Sequence, residues 1–194
     1  MARTALITAS SLVADVIEAG QSFVLVGFTQ VSSETAEIGD AYDPATGTFS
    51  PPGIPLATLR AEASAQVMAT RAARIVGGFT FQGVRYQTRD DDRENIAGAA
   101  QLAFMALVAG AKAGDLFWDG SVDPVTGAPV PFAWIAEDNG TVTMDAPTMV
   151  AFGKAAAAFK QGCIFAAFTL KGAIERAPDA AALAAIDLTQ GWPA

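Results

Sequence analysis

The chain has no histidine at all, one cysteine, and only 12 lysines and arginines against 20 aspartates and glutamates. Each shortage excludes something. Without histidine there is no imidazole to serve as general base near neutral pH, no ordinary pH switch, and none of the commonest metal ligand. Acid–base chemistry would have to rest on carboxylates. A single cysteine cannot form an intrachain disulfide, and the apolar neighbours of Cys163, Ile164 and Phe165, predict a buried thiol rather than a poised thiolate. The net charge of -8 leaves no basic face to release counterions along a phosphate backbone, so nucleic acid is not an expected partner.

Long hydrophobic runs are also missing. Mean hydropathy is +0.33, yet the best membrane candidate, Ile96 to Ala111, is interrupted by Gln101 and is shorter than the roughly 20 apolar residues a spanning helix needs. No membrane span is expected. At the start, Thr8 and Ser10 break the apolar run after Ala5-Leu6-Ile7 before a secretory core can form, which predicts synthesis in the cytoplasm.

What the chain does contain falls into regions of different composition. Over residues 1–50, short apolar runs (Ala5-Leu6-Ile7, Val13 to Ile17, Phe23 to Phe28, Gln30-Val31) alternate with polar breaks, the pattern of a small sheet or meander. Asp43-Pro44-Ala45-Thr46-Gly47 reads as a turn, with Pro fixing φ and Gly free to take a positive φ. Pro51, Pro52 and Pro55 then forbid both a helix and a central strand over residues 51–55. That stretch is read as a linker.

From residue 56 to residue 194 the chain reads as a mainly helical domain with two β-hairpins. Leu56, Leu59, Ala63, Val67 and Ala73 give a helical stripe. Phe79 and Phe81, then Val84 and Tyr86, alternate on either side of Gln82-Gly83 and predict a tight hairpin. Thr88 or Asp90 is the expected cap of the next helix, where Asp90, Asp91 and Asp92 suit the unpaired N–H groups of the first turn. The face Ile96, Ala100, Ala103, Leu107, Gly110 should end near Gly114. A second hairpin is expected around Asn139-Gly140, between Phe132–Ile135 and Thr141–Met144. Met149, Phe152, Ala156, Phe159, Cys163, Ala166, Leu170 and Ala173 then alternate spacings of three and four, a sustained heptad stripe. The expected fold class is α+β: a small N-terminal β module, a Pro-rich linker, and a helical domain with two hairpins.

No catalytic set emerges from these residues. Consecutive carboxylates at Asp90–Asp92 splay around a helix and lack the spaced oxygen ligands of a cation loop. Asp119 to Asp123 stops short of that pattern and reads as a turn. Glu137 and Asp138 are adjacent on a hairpin tip and cannot face each other across a sugar ring. Gly77-Gly78 leads into a strand with no following Lys, so it is no phosphate cradle. No metal or cofactor site is expected. Trp118, Phe132 and Trp134 are the candidate partner or glycan contacts, set against a role in filling the core. Met149, Phe152, Phe159 and Leu170 are the candidate subunit interface, because the two small-residue helices carry more apolar surface than one pair can hide.

The run from Arg74 to Ile96, with Gly78-Phe79-Thr80-Phe81-Gln82-Gly83 at its centre, is followed by a tryptophan-bearing hairpin, a long Ala-rich helix and a terminal Trp192-Pro193. Together these resemble an uncharacterised domain of tailed-bacteriophage tail-fibre and tail-tip proteins, from Leu56 to the C-terminus. Leu12 to Glu18 and Ile38 to Asp43 are similar to the small N-terminal modules of phage tail-fibre and tail-assembly proteins. Arg89 departs from the pattern, standing before the acidic residue that usually follows the second strand. The resemblance implies a non-enzymatic structural part of the virion, at the tail tip, baseplate or fibre attachment. It also implies other tail proteins as partners and a homo-oligomer, a trimer or ring. A carbohydrate-binding module that contacts host surface glycan, and a tail-fibre assembly chaperone, are the alternatives.

Overall fold

A computed structural model describes residues 3–18 and 25–193. The fold is α+β, with strands toward the N-terminus and helices toward the C-terminus. It divides into two compact units, Met1–Pro55 and Leu56–Ala194.

In the first unit β1 (Arg3–Ile7) lies between β2 (Val13–Glu18) and β3 (Thr29–Ser32), antiparallel to both. An antiparallel sheet can pack one face on a core and leave the other to water, and here Ala5, Ile7 and Val13 supply the packed apolar face with Ala36 against it. A separate hairpin of this unit, β4 (Ala41–Asp43) with β5 (Thr48–Ser50), turns at Asp43-Pro44-Ala45-Thr46-Gly47. The Asp43 carboxylate accepts from Ala45 N and Thr46 Oγ1, both at 2.9 Å, and Gly47 takes φ +71. The apolar run at Phe23–Phe28 does not make a strand where it is described. Phe23 and Val24 lie outside the described residues, while Leu25–Phe28 turns at Gly27 (φ +91) and leaves Val26 96% exposed.

The second unit is built on α3 (Ala146–Arg176), against which α1 (Leu56–Val76) and α2 (Asp90–Val108) both pack. The hairpin β6 (Phe79–Phe81) with β7 (Val84–Tyr86) sits between α1 and α2 in sequence, and β8 (Ala133–Ile135) with β9 (Thr141–Thr143) precedes α3. A short α4 (Ala180–Ala184) covers one end. Phe79, Tyr86, Ile96, Met144, Met149 and Phe152 form one core, centred on the first half of α3. Val67, Ala167, Ile174 and Leu183 form another beyond it.

Local chemistry explains the element ends. Asp145 caps α3, its carboxylate accepting from Thr148 N at 2.9 Å, and Ala177 ends the helix immediately before Pro178. The cap of α2 is neither Thr88 nor Asp90 but Arg89, whose N–H donates to Asp92 Oδ2 at 2.9 Å. Thr88 is used elsewhere: its buried hydroxyl accepts from Gly78 N and donates to Ile75 O, tying off the end of α1. Helix α2 stops at Ala109, one turn earlier than Gly114, because Gly110 takes φ +106 and leaves the helical region. Asn139, not Gly140, supplies the positive φ of the second hairpin turn (+66), and Ala136 N closes it on Gly140 O. Among the described residues, no helix is long and apolar enough to cross a membrane.

Candidate functional site

The seven residues singled out on the sequence part into three settings. Met149 and Phe152 are fully buried in the chain's own core. That corrects the reading of these two as a subunit interface: the first half of the stripe is consumed by the hairpins and α2, which the heptad spacing alone does not reveal. Phe152 packs against Phe79, Phe81, Tyr86 and Trp134, with ring centroids 4.6–5.7 Å apart. Phe159 and Leu170 are partly buried, Phe159 stacking on Phe79 at 5.9 Å and Leu170 packing on the second core.

The outward-facing apolar residues of α3 are different ones. Ile164, Phe165 and Phe168 share one side at spacings of three and four, and Phe168 is 75% exposed. On α2, Leu102, Phe104, Met105 and Val108 likewise point away from the core.

Among the aromatics of the second hairpin, Trp118 is a structural strut. Its indole N–H donates to Met144 O at 2.9 Å, and its ring lies 4.6 Å from that of Phe132. Phe132 in turn sits 6.3 Å from Trp134, so the three form a row from the loop to the strand. Trp192 also spends its indole N–H, on Leu188 O at 3.0 Å. Trp134 stands apart: among the described residues its indole N–H donates to no acceptor, and the residue lines a cleft of about 590 Å³.

Two elements make this cleft. Gln87, Arg89, Asp92 and Asn95, from the end of β7 and the start of α2, form one wall, and Trp134 and Asn139 of the second hairpin form the other. The hairpins are held together where Arg85 pairs with Glu137 at 3.0 Å and Glu137 N donates to Arg85 O at 2.9 Å. Arg89 is fixed by its own neighbours, with Nε 2.9 Å from Asp92 Oδ2 and Nη2 on Gln87 Oε1. The Arg89 guanidinium holds the Asp92 carboxyl below the usual carboxylate range. The sequence singles out Trp134 as a candidate contact but gives no sign of Gln87, Asn95 and Asn139 beside it, since scattered amides carry no spacing signal.

Other acidic residues spend their carboxylates locally. Asp123 accepts from Val125 N, Thr126 N and the Thr126 hydroxyl, bonds that lower its pKa. Asp119 accepts from Ser121, and Asp90 pairs with Arg93. Among the described residues, no group of three or more Asp, Glu, Cys or His is placed to hold a metal ion. Cys163 is buried, and burial pushes its thiol pKa up, which keeps it protonated and unreactive.

The sequence matches the family described as "Domain of unknown function (DUF4376)" over residues 58–190. The chain therefore belongs to that family, and the match covers the helical unit from the first turn of α1 to beyond α4. No curated protein and no solved structure matches it.

Proposed function

We propose that this chain is a non-enzymatic structural component of a bacteriophage tail, at the distal tip, baseplate or fibre attachment, where it supports host adsorption. The observation that carries the reading is the pair of apolar helix faces left outside two completed cores. Ile164, Phe165 and Phe168 on α3, and Leu102, Met105 and Val108 on α2, are exposed although the helices' inner faces are already packed. Exposed apolar surface on this scale suits a protein that meets other subunits. The resemblance of the Gly78–Gly83 hairpin and its flanks to tail-protein domains supports a tail as the assembly. The acidic surface fits a protein neighbour rather than nucleic acid.

At 31 residues, α3 is about 45 Å long at about 1.5 Å per residue, too short for a fibre shaft and suited to an adaptor or collar. Mass spectrometry of purified particles tests the reading. A stoichiometric presence in mature virions supports it. Presence only in infected-cell extracts replaces it with the assembly-chaperone reading, and absence from both removes it.

A further inference from the structure

We propose that the cleft between the start of α2 and the second hairpin binds a neutral, N-acetylated pyranose. Its volume of about 590 Å³ falls within the roughly 300–1,000 Å³ of small-ligand pockets. Its chemistry is that of a sugar site. Trp134 offers a partly exposed aromatic ring for the apolar C–H side of a pyranose, and an indole N–H with no acceptor among the described residues. Asn95 and Asn139 bring exposed carboxamides, each able to donate and accept, which is what hydroxyl and acetamido groups require. Gln87 has its Oε1 occupied by Arg89, leaving its NH₂ as a donor.

Charge decides between sugars. The cleft's one cation, Arg89, is already paired with its one carboxylate, Asp92, at 2.9 Å. A uronate or phosphate would have to compete with Asp92 for that guanidinium, while a neutral ring leaves the pair intact. Ile135, 62% exposed at the cleft edge, gives an acetamido methyl group an apolar seat. The inference is independent of any place in a phage particle, because it concerns the isolated chain.

The test is a titration of the whole chain with N-acetylglucosamine, followed through the tryptophan indole N–H signals by two-dimensional NMR. The chain has three tryptophans, and Trp134 alone is expected to shift, saturably. Asn95→Ala removes one amide at an exposed helical position that tolerates Ala. Asn139→Gly removes the other where φ is +66, a conformation Gly accepts. Each is expected to weaken binding about three- to tenfold, the worth of one hydrogen bond, with the melting temperature little changed. The proposal is overturned if the Trp134 signal stays fixed, if all three indoles shift together, or if both variants bind as the parent does. Tighter binding of glucuronate than of N-acetylglucosamine overturns the neutral assignment.

Discussion

The ring of Phe152 meets that of Tyr86 edge to face, with centroids 4.6 Å apart and planes at 63°. That pair couples α3 to the first hairpin, and Phe79, Phe81 and Trp134 complete the shell around the same ring. Phe152 is 0% exposed, so Phe152→Ala opens a cavity and is expected to cost about 3–5 kcal/mol. Denaturant unfolding measures it. A variant that unfolds like the parent and loses only its association would return Phe152 to an interface role.

Where α2 crosses α3 the two backbones come close because Gly153 has no side chain. A Cβ placed there would overlap the Cβ of Ala100. Gly153→Ala should therefore destabilise by about 1–3 kcal/mol through overpacking, despite the better helix propensity of Ala. Ala100→Gly in the same chain removes the opposing methyl and should recover much of the loss. If the double variant is no more stable than Gly153→Ala alone, the contact is not the cause.

The α3 stripe, the hairpin turns and the α2 cap differ in how far the sequence discloses them. The stripe through Met149, Phe152 and Phe159 was readable as apolar because spacings of three and four put it on one helix side. What covers that side was not, since an intramolecular hairpin and a second subunit impose the same pattern. Hairpins were readable from Gln82-Gly83 and Asn139-Gly140, whose local chemistry is short-range. The cap at Arg89 was hidden because its side chain has no capping propensity; Asp92, three residues on, supplies the bond instead. Trp118 and Trp134 looked alike on the sequence. Only the fold, by giving Trp118 the Met144 carbonyl, separates strut from cleft wall.

Trp118→Phe keeps the ring beside Phe132 and deletes the donor to Met144 O. Met144 is 2% exposed, so its carbonyl loses a partner it cannot readily replace with water, at about 1–3 kcal/mol. Thermal melting should register that loss, while the sugar titration of Trp134 stays as in the parent. A change in sugar affinity without a change in melting would contradict the assignment of Trp118 as a strut.

Asp145 links two segments, accepting from Thr148 N at 2.9 Å and Gly114 N at 2.7 Å. The Thr148 side chain, then the Gly114 N–H, hold its carboxyl below the ordinary aspartate value of 3.8. Because the folded pKa is depressed, the unfolded chain takes up the proton first on acidification. The stabilisation is complete above 3.8 and fades as pH falls through the lower folded value. Asp145→Ala should cost about 1 kcal/mol at neutral pH, and the gap in melting temperature from the parent should narrow in acid below 3.8. A gap that does not change with pH would show that the carboxylate charge is not what matters.

The outer face of α3 supplies the sharpest test of assembly. Phe165 and Phe168 are 58% and 75% exposed and belong to neither core, so replacing both with Ser removes mainly solvent-facing apolar surface. Folding should be spared, since exposed substitutions away from packed features usually change stability by about 0.5 kcal/mol or less. Association should not be spared if neighbouring subunits cover this face, because apolar area is the main driving force at such contacts. Light scattering after size exclusion is expected to show the parent as an oligomer and Phe165→Ser/Phe168→Ser as a smaller species with an unchanged melting curve. A parent that is already monomeric, or a double variant of unchanged size, would move the contact off this face. The equivalent substitution Met105→Ser on α2 then becomes the next one to measure.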